Sequence, residues 1–423
     1  MTRIQTTVVR GFRPSSIRRV WMLPLALALT QCVGPAEEAT YGFPPEWEHH
    51  EAVWIDFTDE EGWINRDHEA RVEIIEALHE HVPVKVLVNS DAAVGILDRM
   101  LAEAGVSREM LTIVNHPIPN PALRDAGPIF VTDGSDLRVA DFAWNCYGGA
   151  DFCQEVDSRR GEVANDLADR YGWSVASTEI AAEGGGLESS STVILAYRDF
   201  AESRNPGIGL EEIEAAFLEM YGKEKVIWIE ESPLIEQNGH KIDNYYGQGA
   251  NGHIDAAMRF VNDSTVRVAV MAEDERDNSP IQQHDYEVFQ AGLEQIRAST
   301  NSDGKPFHVV EIPVPDFSLY AYEFVLDENT QWGFSEHSAG ESVRYVPIMS
   351  YANFLITNDV VLVAEYWREG LPESERRKDE RMKEILASYF PDREIVGIRN
   401  AIQLNWNGGG IHCQTQQQPS RGA

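Results

Sequence analysis

From Tyr41 onward the chain alternates between two hydrophobic rhythms. Short runs rich in Val, Ile, Leu and aromatic residues predict strands near 51–57, 84–88, 111–114, 137–141, 193–197, 226–229, 266–271, 308–312, 360–364 and 394–398. Longer stretches, with apolar positions every three or four residues, predict helices near 67–81, 91–104, 160–171, 210–221, 283–298 and 374–389. Gly105 and Gly222 stand where a left-handed residue would end two of these helices, and Pro391 follows the last. The order strand, helix, strand recurs about five times without a clean sequence repeat, which predicts an α/β fold, and the length allows one big domain or two ordinary ones. The longest irregular piece, roughly 231–252, runs straight into His253 and is expected to act as a lid.

The N-terminus follows neither rhythm. Arg3, Arg10, Arg13, Arg18 and Arg19 precede the first acid, Glu37, and a short apolar run covers 20–29. A basic stretch followed by an apolar run too short to span a bilayer predicts an export signal over 1–31, with 32–40 as a linker. Leu29-Thr-Gln-Cys32 resembles a lipoprotein cleavage box, which would make Cys32 a lipid-bearing N-terminus. The protein is then expected in the periplasm, anchored to a membrane there, or secreted. A disordered N-terminal arm is the plain alternative. In an exported chain Cys146 and Cys153 could pair.

The formal charge of −34, from 35 basic against 69 acidic residues, argues against a nucleic-acid partner, which would need clustered Lys and Arg. It favours solubility and attracts cations. No GxGxxG follows a strand and no GxxxxGK[ST] occurs, so the dinucleotide and phosphate-loop fingerprints are missing. No CxxC supports a structural zinc site.

The chemistry collects in glycine-rich loops between strands. They are Arg124-Asp125-Ala-Gly-Pro128, Glu183-Gly-Gly-Gly186, Gly252-His253-Ile-Asp255 and Gly408-Gly-Gly-Ile-His-Cys413. Each alone could be an ordinary turn or ion pair. Together they offer a thiol, a histidine and three acids. A guanidinium group is planar, cationic and forked, and carboxylates match that fork. Asp125 and Asp255 could clamp it, and a Cys413 thiolate could attack its central carbon. His253 could give a proton to departing ammonia and then take one from water, with Glu183 orienting it. This chemistry calls for no metal and no cofactor. A papain-like hydrolase is disfavoured because the cysteine lies after the histidine, near the C-terminal end.

The wording and order of these segments resemble the agmatine deiminase and Porphyromonas-type peptidylarginine deiminase family of the guanidine-modifying superfamily. The resemblance runs from Tyr41-Gly-Phe-Pro-Pro-Glu-Trp47 to Gln418-Pro419 and also takes in Asn145-x-x-Gly-Gly149, Arg204-Asn-Pro206 and Ser350-Tyr-x-Asn-Phe354. It implies a five-bladed α/β propeller of ββαβ units around a central site, a single large catalytic domain over 41–423. It implies hydrolytic deimination, guanidine plus water giving a ureido group and ammonia, through a covalent amidino-thioether on Cys413. By the same resemblance His253 is the acid/base, Glu183 its partner, and Asp125 and Asp255 the clamp. Agmatine, giving N-carbamoylputrescine, is the first substrate expected, and peptidyl or free arginine the alternative. Remoter alternatives are amidino transfer and a non-catalytic surface lipoprotein. Departures at Ala122, at the shortened loop after Gly186 and at Tyr245-Tyr246 bear on the substrate. Arg124 is expected as the main cation near the site, and Glu188 as an acidic group at its mouth.

Overall fold

A computed structural model describes residues 40–59, 67–118, 122–149, 153, 158–334 and 336–421. The export signal, Cys32 and most of the linker lie outside them. Over 40–421 the chain builds five β-sheets of one design and a sixth that departs from it.

The first sheet holds β1 (His50–Phe57), β2 (Val84–Val88) and β3 (Leu111–Asn115). The second holds β4 (Ile129–Thr132), β5 (Leu137–Ala143) and β6 (Ser174–Ala181), and the third β7 (Glu188–Ser189), β8 (Val193–Tyr197) and β9 (Lys225–Ile229). A hairpin follows, β10 (Asn238–Ile242) and β11 (Tyr245–Gln248). The fourth sheet is β12 (Met258–Asn262), β13 (Thr265–Val270) and β14 (His308–Pro313). Next come β15 (Tyr322–Val325) and β16 (Ser342–Val346), then the fifth sheet, β17 (Leu355–Ile356), β18 (Val360–Ala364) and β19 (Glu394–Ile398). The last strand, β20 (Thr415–Pro419), returns to pair antiparallel with β1.

In every blade an antiparallel pair leads into a parallel one. β4, β7, β12, β17 and β20 run antiparallel to β5, β8, β13, β18 and β1, which run parallel to β6, β9, β14, β19 and β2. A parallel pair needs a crossover, and helices supply it. These are α1 (His68–Leu78), α2 (Asp91–Ala104), α3 (Val163–Tyr171), α4 (Arg198–Arg204), α5 (Leu210–Tyr221), α6 (Pro280–Ala298) and α7 (Glu373–Tyr389). The result is the five-bladed α/β propeller, closed on itself by β20. Because helices cover one face and neighbouring blades the other, β8 and β18 are buried at every residue, which is why they read as unbroken apolar runs.

The stop signals act as expected. Gly105 and Gly222 take φ of 75° and 60° after α2 and α5. A side chain on Gly222 would also meet the Tyr41 carbonyl oxygen at 2.3 Å. Cys146 and Cys153 are disulfide-bonded. One expectation is corrected. The 231–252 stretch is not an irregular lid. It contains the β10–β11 hairpin, which joins β16 and β15 in the sixth sheet, ordered β10-β11-β16-β15. Its glycines and polar residues hide the strand alternation.

Candidate active site

Each blade's leading strand is preceded by one of the polar loops. Arg124-Asp125-Ala-Gly-Pro128 enters β4, Glu183-Gly-Gly-Gly186 enters β7, His253-Ile-Asp255 enters β12, Ser350-Tyr-Ala-Asn353 enters β17, and His412-Cys413 enters β20. The propeller therefore brings five sequence-distant loops to one centre. Asp125, Glu183, His253, Asp255 and Cys413 are all buried there.

The glycines let the loops meet. A Cβ on Gly185 would lie 2.5 Å from His253 Nδ1, one on Gly186 would lie 2.2 Å from Phe200, and one on Gly410 would lie 2.3 Å from Asn353 Oδ1. No side chain fits at these three positions.

His253 sits between two acids. Its Nδ1 is 3.7 Å from Asp125 Oδ1 and its Nε2 is 3.5 Å from Glu183 Oε2. Its main-chain N–H donates to Glu236 Oε2 at 3.2 Å. Asp125 accepts from Tyr147 Oη at 3.0 Å and from the Gly185 N–H at 3.2 Å. Glu183 is fixed by Arg204, whose Nε lies 2.9 Å from each carboxylate oxygen. Asp255 Oδ2 is 2.7 Å from His412 Nδ1 and 3.8 Å from Cys413 Sγ. Its other oxygen is buried without a hydrogen-bond partner. Asn353 Nδ2 donates to Cys413 Sγ at 3.3 Å, while its oxygen accepts the His412 N–H at 2.9 Å.

The charges shift one another. Burial alone would lower the His253 pKa, but Asp125, then Glu183 and Asp255, carry it up to about 9. Burial pushes Asp125 up to about 6, with His253 opposing and Asp255 and Glu183 adding. Burial would likewise raise Asp255 and Glu183, but His412 and Arg204 hold them below their ordinary values. Burial, then Asp255 and Asp125, push the Cys413 thiol well above its ordinary value. Three carboxylates, one imidazole and a thiol thus surround a space in which a planar cation would be stabilised from several sides.

That space opens into a cleft of about 750 Å³, lined by Ala122, Asp125, Tyr147, Asn251, Cys413 and the Cys146–Cys153 disulfide among others. Ala122, Cys146, Tyr147 and Asn251 also have φ between 51° and 59°. Such strained backbone concentrates at functional sites, and four of the five non-glycine cases among the described residues line this cleft.

Two expectations about the surroundings are corrected. Glu188 is not at the mouth. It is buried, its carboxylate 2.9 Å from Arg259 Nε and 2.9 Å from the Phe260 N–H, because its strand faces inward. Arg124 does not face the cleft either. It donates to the His412 carbonyl and to Gln417, while Arg71 and Arg160 line the opening. Of the positions expected to shape the pocket, Ala122 does so, Tyr246 lines an adjoining cleft, and Leu187 is buried.

Sequence reasoning did not assign Asn353, His412, Tyr147 or Arg204 a part in the centre. Each lay inside a motif already noticed; the glycines near Tyr147 and His412 were the available signal, and Arg204 and Asn353 had none beside them.

Comparison with known proteins places this geometry. The family model of the Porphyromonas-type peptidyl-arginine deiminases matches residues 42–419. A Streptomyces coelicolor protein, assigned as an agmatine deiminase, is 29% identical over 397 residues, covering 90% of this chain and 99% of its own. The solved agmatine deiminase of Enterococcus faecalis superposes with a TM-score of 0.70 at 24% identity, over 90% of this chain and 96% of that one. An assigned arginine deiminase of Porphyromonas gingivalis gives 0.66 at 23% identity, over 90% and 98%. The protein belongs to the Porphyromonas-type peptidyl-arginine deiminase family.

Proposed function

We propose that the protein hydrolyses a guanidine to a ureido group and ammonia, with agmatine as first substrate. The convergence of five blade loops on Cys413 carries this reading. Asp125 and Asp255 take the guanidinium between them, leaving its central carbon open to Cys413 Sγ, 3.8 Å from Asp255. The thiol gives its proton to water in the open cleft as the substrate cation enters, and the sulfur attacks as thiolate. His253, protonated at neutral pH with a pKa near 9, gives its proton to the departing nitrogen, which leaves as ammonia. The neutral His253 then takes a proton from water, whose oxygen attacks the amidino-thioether carbon. The C–S bond breaks, the new hydroxyl gives its proton to water in the cleft, the thiolate returns, and the ureido product forms. Glu183, locked by Arg204, holds His253 in place through both steps.

The size of the cleft and the small Ala122 at its wall favour a second reading, in which the guanidine is carried by a peptide. Ammonia and ureido release from agmatine, arginine and arginine peptides tests the proposal. Turnover of none of them overturns it. The bonded Cys146 and Cys153 support export of the chain. Cell fractionation that finds the full-length, unprocessed chain in the cytoplasm would refute that part.

A further inference from the structure

The sixth sheet does not belong to the propeller, yet it borders the catalytic cleft. Between β10, β11, β15, β16 and the segment joining β15 to β16 lies a second cleft of about 480 Å³. Its walls are aromatic: Tyr246, Phe324, Phe334 and Tyr345. Phe334 meets Tyr246 edge-on at 4.7 Å and Phe324 at 5.3 Å, so the rings brace one another. The Tyr345 hydroxyl is turned to Gln248, 2.9 Å away, and Phe324 is only half-buried. This cleft is continuous with the catalytic one. Asn238, Gly239, Gln248 and Gly333 line both. Gly239 and Gly333 have nothing within 4 Å of a notional Cβ, so this shared stretch of wall is low and open.

We propose that this aromatic cleft is a second substrate subsite, which takes the apolar side chain of the residue next to the arginine of a peptide. The inference rests on the deiminase reading of the neighbouring site. One end of the substrate is fixed where the carboxylates and Cys413 converge. Whatever continues from it across Gly239 and Gly333 meets four rings and no charged side chain among the lining residues. The aminobutyl chain of agmatine ends in a cation and carries no apolar side group to place there. A phenyl or branched aliphatic side chain on an adjacent residue would leave water and stack on Phe324 and Phe334.

The test compares kcat/KM for acetyl-Phe-Arg-amide and acetyl-Arg-Phe-amide with their Gly counterparts, agmatine being run alongside. In at least one order Phe should exceed Gly by about tenfold or more, the effect of burying one large apolar side chain. In Phe324→Ala that ratio should fall to within about threefold of unity, and in Phe324→Leu most of it should remain. A ratio within one variant does not depend on how much of it folds. Agmatine turnover with no Phe preference in either order overturns the subsite and leaves the deiminase reading intact. Failure on every guanidine overturns both. A Phe preference that survives Phe324→Ala also overturns the assignment, as would a solution dimer that Phe324→Ala dissociates, since a second copy would then fill the cleft.

Discussion

Substituting Gly185 by Ala is the smallest change that should disable the site, and its effect follows from three distances. The added methyl would lie 2.5 Å from His253 Nδ1, 3.1 Å from His253 Cε1 and 3.0 Å from Asp125 Oδ1. Non-bonded heavy atoms settle at roughly 3.5–4.0 Å, so the imidazole must yield by about 1 Å. It has little freedom. His253 is 1% exposed, with Phe200 and Tyr147 rings at 5.9 and 5.8 Å. Asp125 is held by Tyr147 and by the Gly185 N–H itself. The methyl therefore pushes His253 away from Asp125, or Asp125 off its bonds. Overpacking of this kind costs about 1–3 kcal/mol of stability, and a misplacement of about 1 Å in a catalytic group costs about 100-fold in rate. Gly95, inside α2, is the control, because a Cβ there meets nothing within 4 Å. Gly95→Ala should raise stability by about 0.5–1 kcal/mol through helix propensity and leave the rate alone. Ammonia release and thermal melting of the two variants suffice. Wild-type kcat in Gly185→Ala would refute the placement of His253 and Asp125 in the chemistry.

Cys413→Ala should abolish turnover while guanidine binding persists and the melting temperature stays within about two degrees, because little core volume is lost; residual activity near wild type would remove its assignment as nucleophile. Asp125→Asn and Asp255→Asn should each lower kcat/KM for agmatine by about 10–100-fold, the loss of a charge-assisted bond of roughly 1.5–3 kcal/mol, and an unchanged value in either would exclude that residue from the clamp. At saturating agmatine, where the bound guanidinium holds Cys413 ionised, kcat should fall on the alkaline side as His253 loses its proton, whereas a kcat still climbing past 9 would contradict His253 as acid. The folded-state pKa of His253 lies above its ordinary 6.5, so its stabilisation is complete below 6.5 and is lost as pH rises through about 9. Melting temperature should decline over that window, and less steeply in His253→Asn.

The inner strands of the propeller were legible because they are covered on both faces. β8 and β18 are continuous apolar runs, and their sequence boundaries match the structure. The leading strands were not. β7 and β17 are two residues long, and β20 reads Thr-Gln-Gln-Gln-Pro, polar yet buried. Gln416 Nε2 donates to the Pro128 carbonyl, and Gln418 Oε1 accepts from Trp54 and Lys85, partners which no local rhythm can announce. The same division holds in the site. Cys413, His253, Glu183, Asp125 and Asp255 stood out because their loops are rich in glycine. Arg204 sits in a helix and Asn353 before a two-residue strand, and only the closure of the blades shows what they touch.

The centre also poses a problem in charge that the substrate resolves. An activated thiol normally sits in a positive setting, and one beside buried carboxylates is held protonated. Cys413 is of the second kind, pushed up by burial and by Asp255 and Asp125, with the protonated His253 set against Asp125 and Glu183 instead. The arrangement is unfavourable for a free thiolate and favourable for one paired with a guanidinium held between those two acids. Binding the cation cancels the charges that raise the thiol, so ionisation and binding favour one another. Such coupling is reciprocal. A thiol that ionises only against its substrate is protected from alkylation and oxidation while the site stands empty. Ultraviolet titration of the thiolate in the free protein should accordingly show no midpoint below the ordinary value of 9, with Cys413→Ala as the blank. A Cys413 signal titrating near neutrality without substrate would show that the protein, rather than the guanidinium, activates its nucleophile.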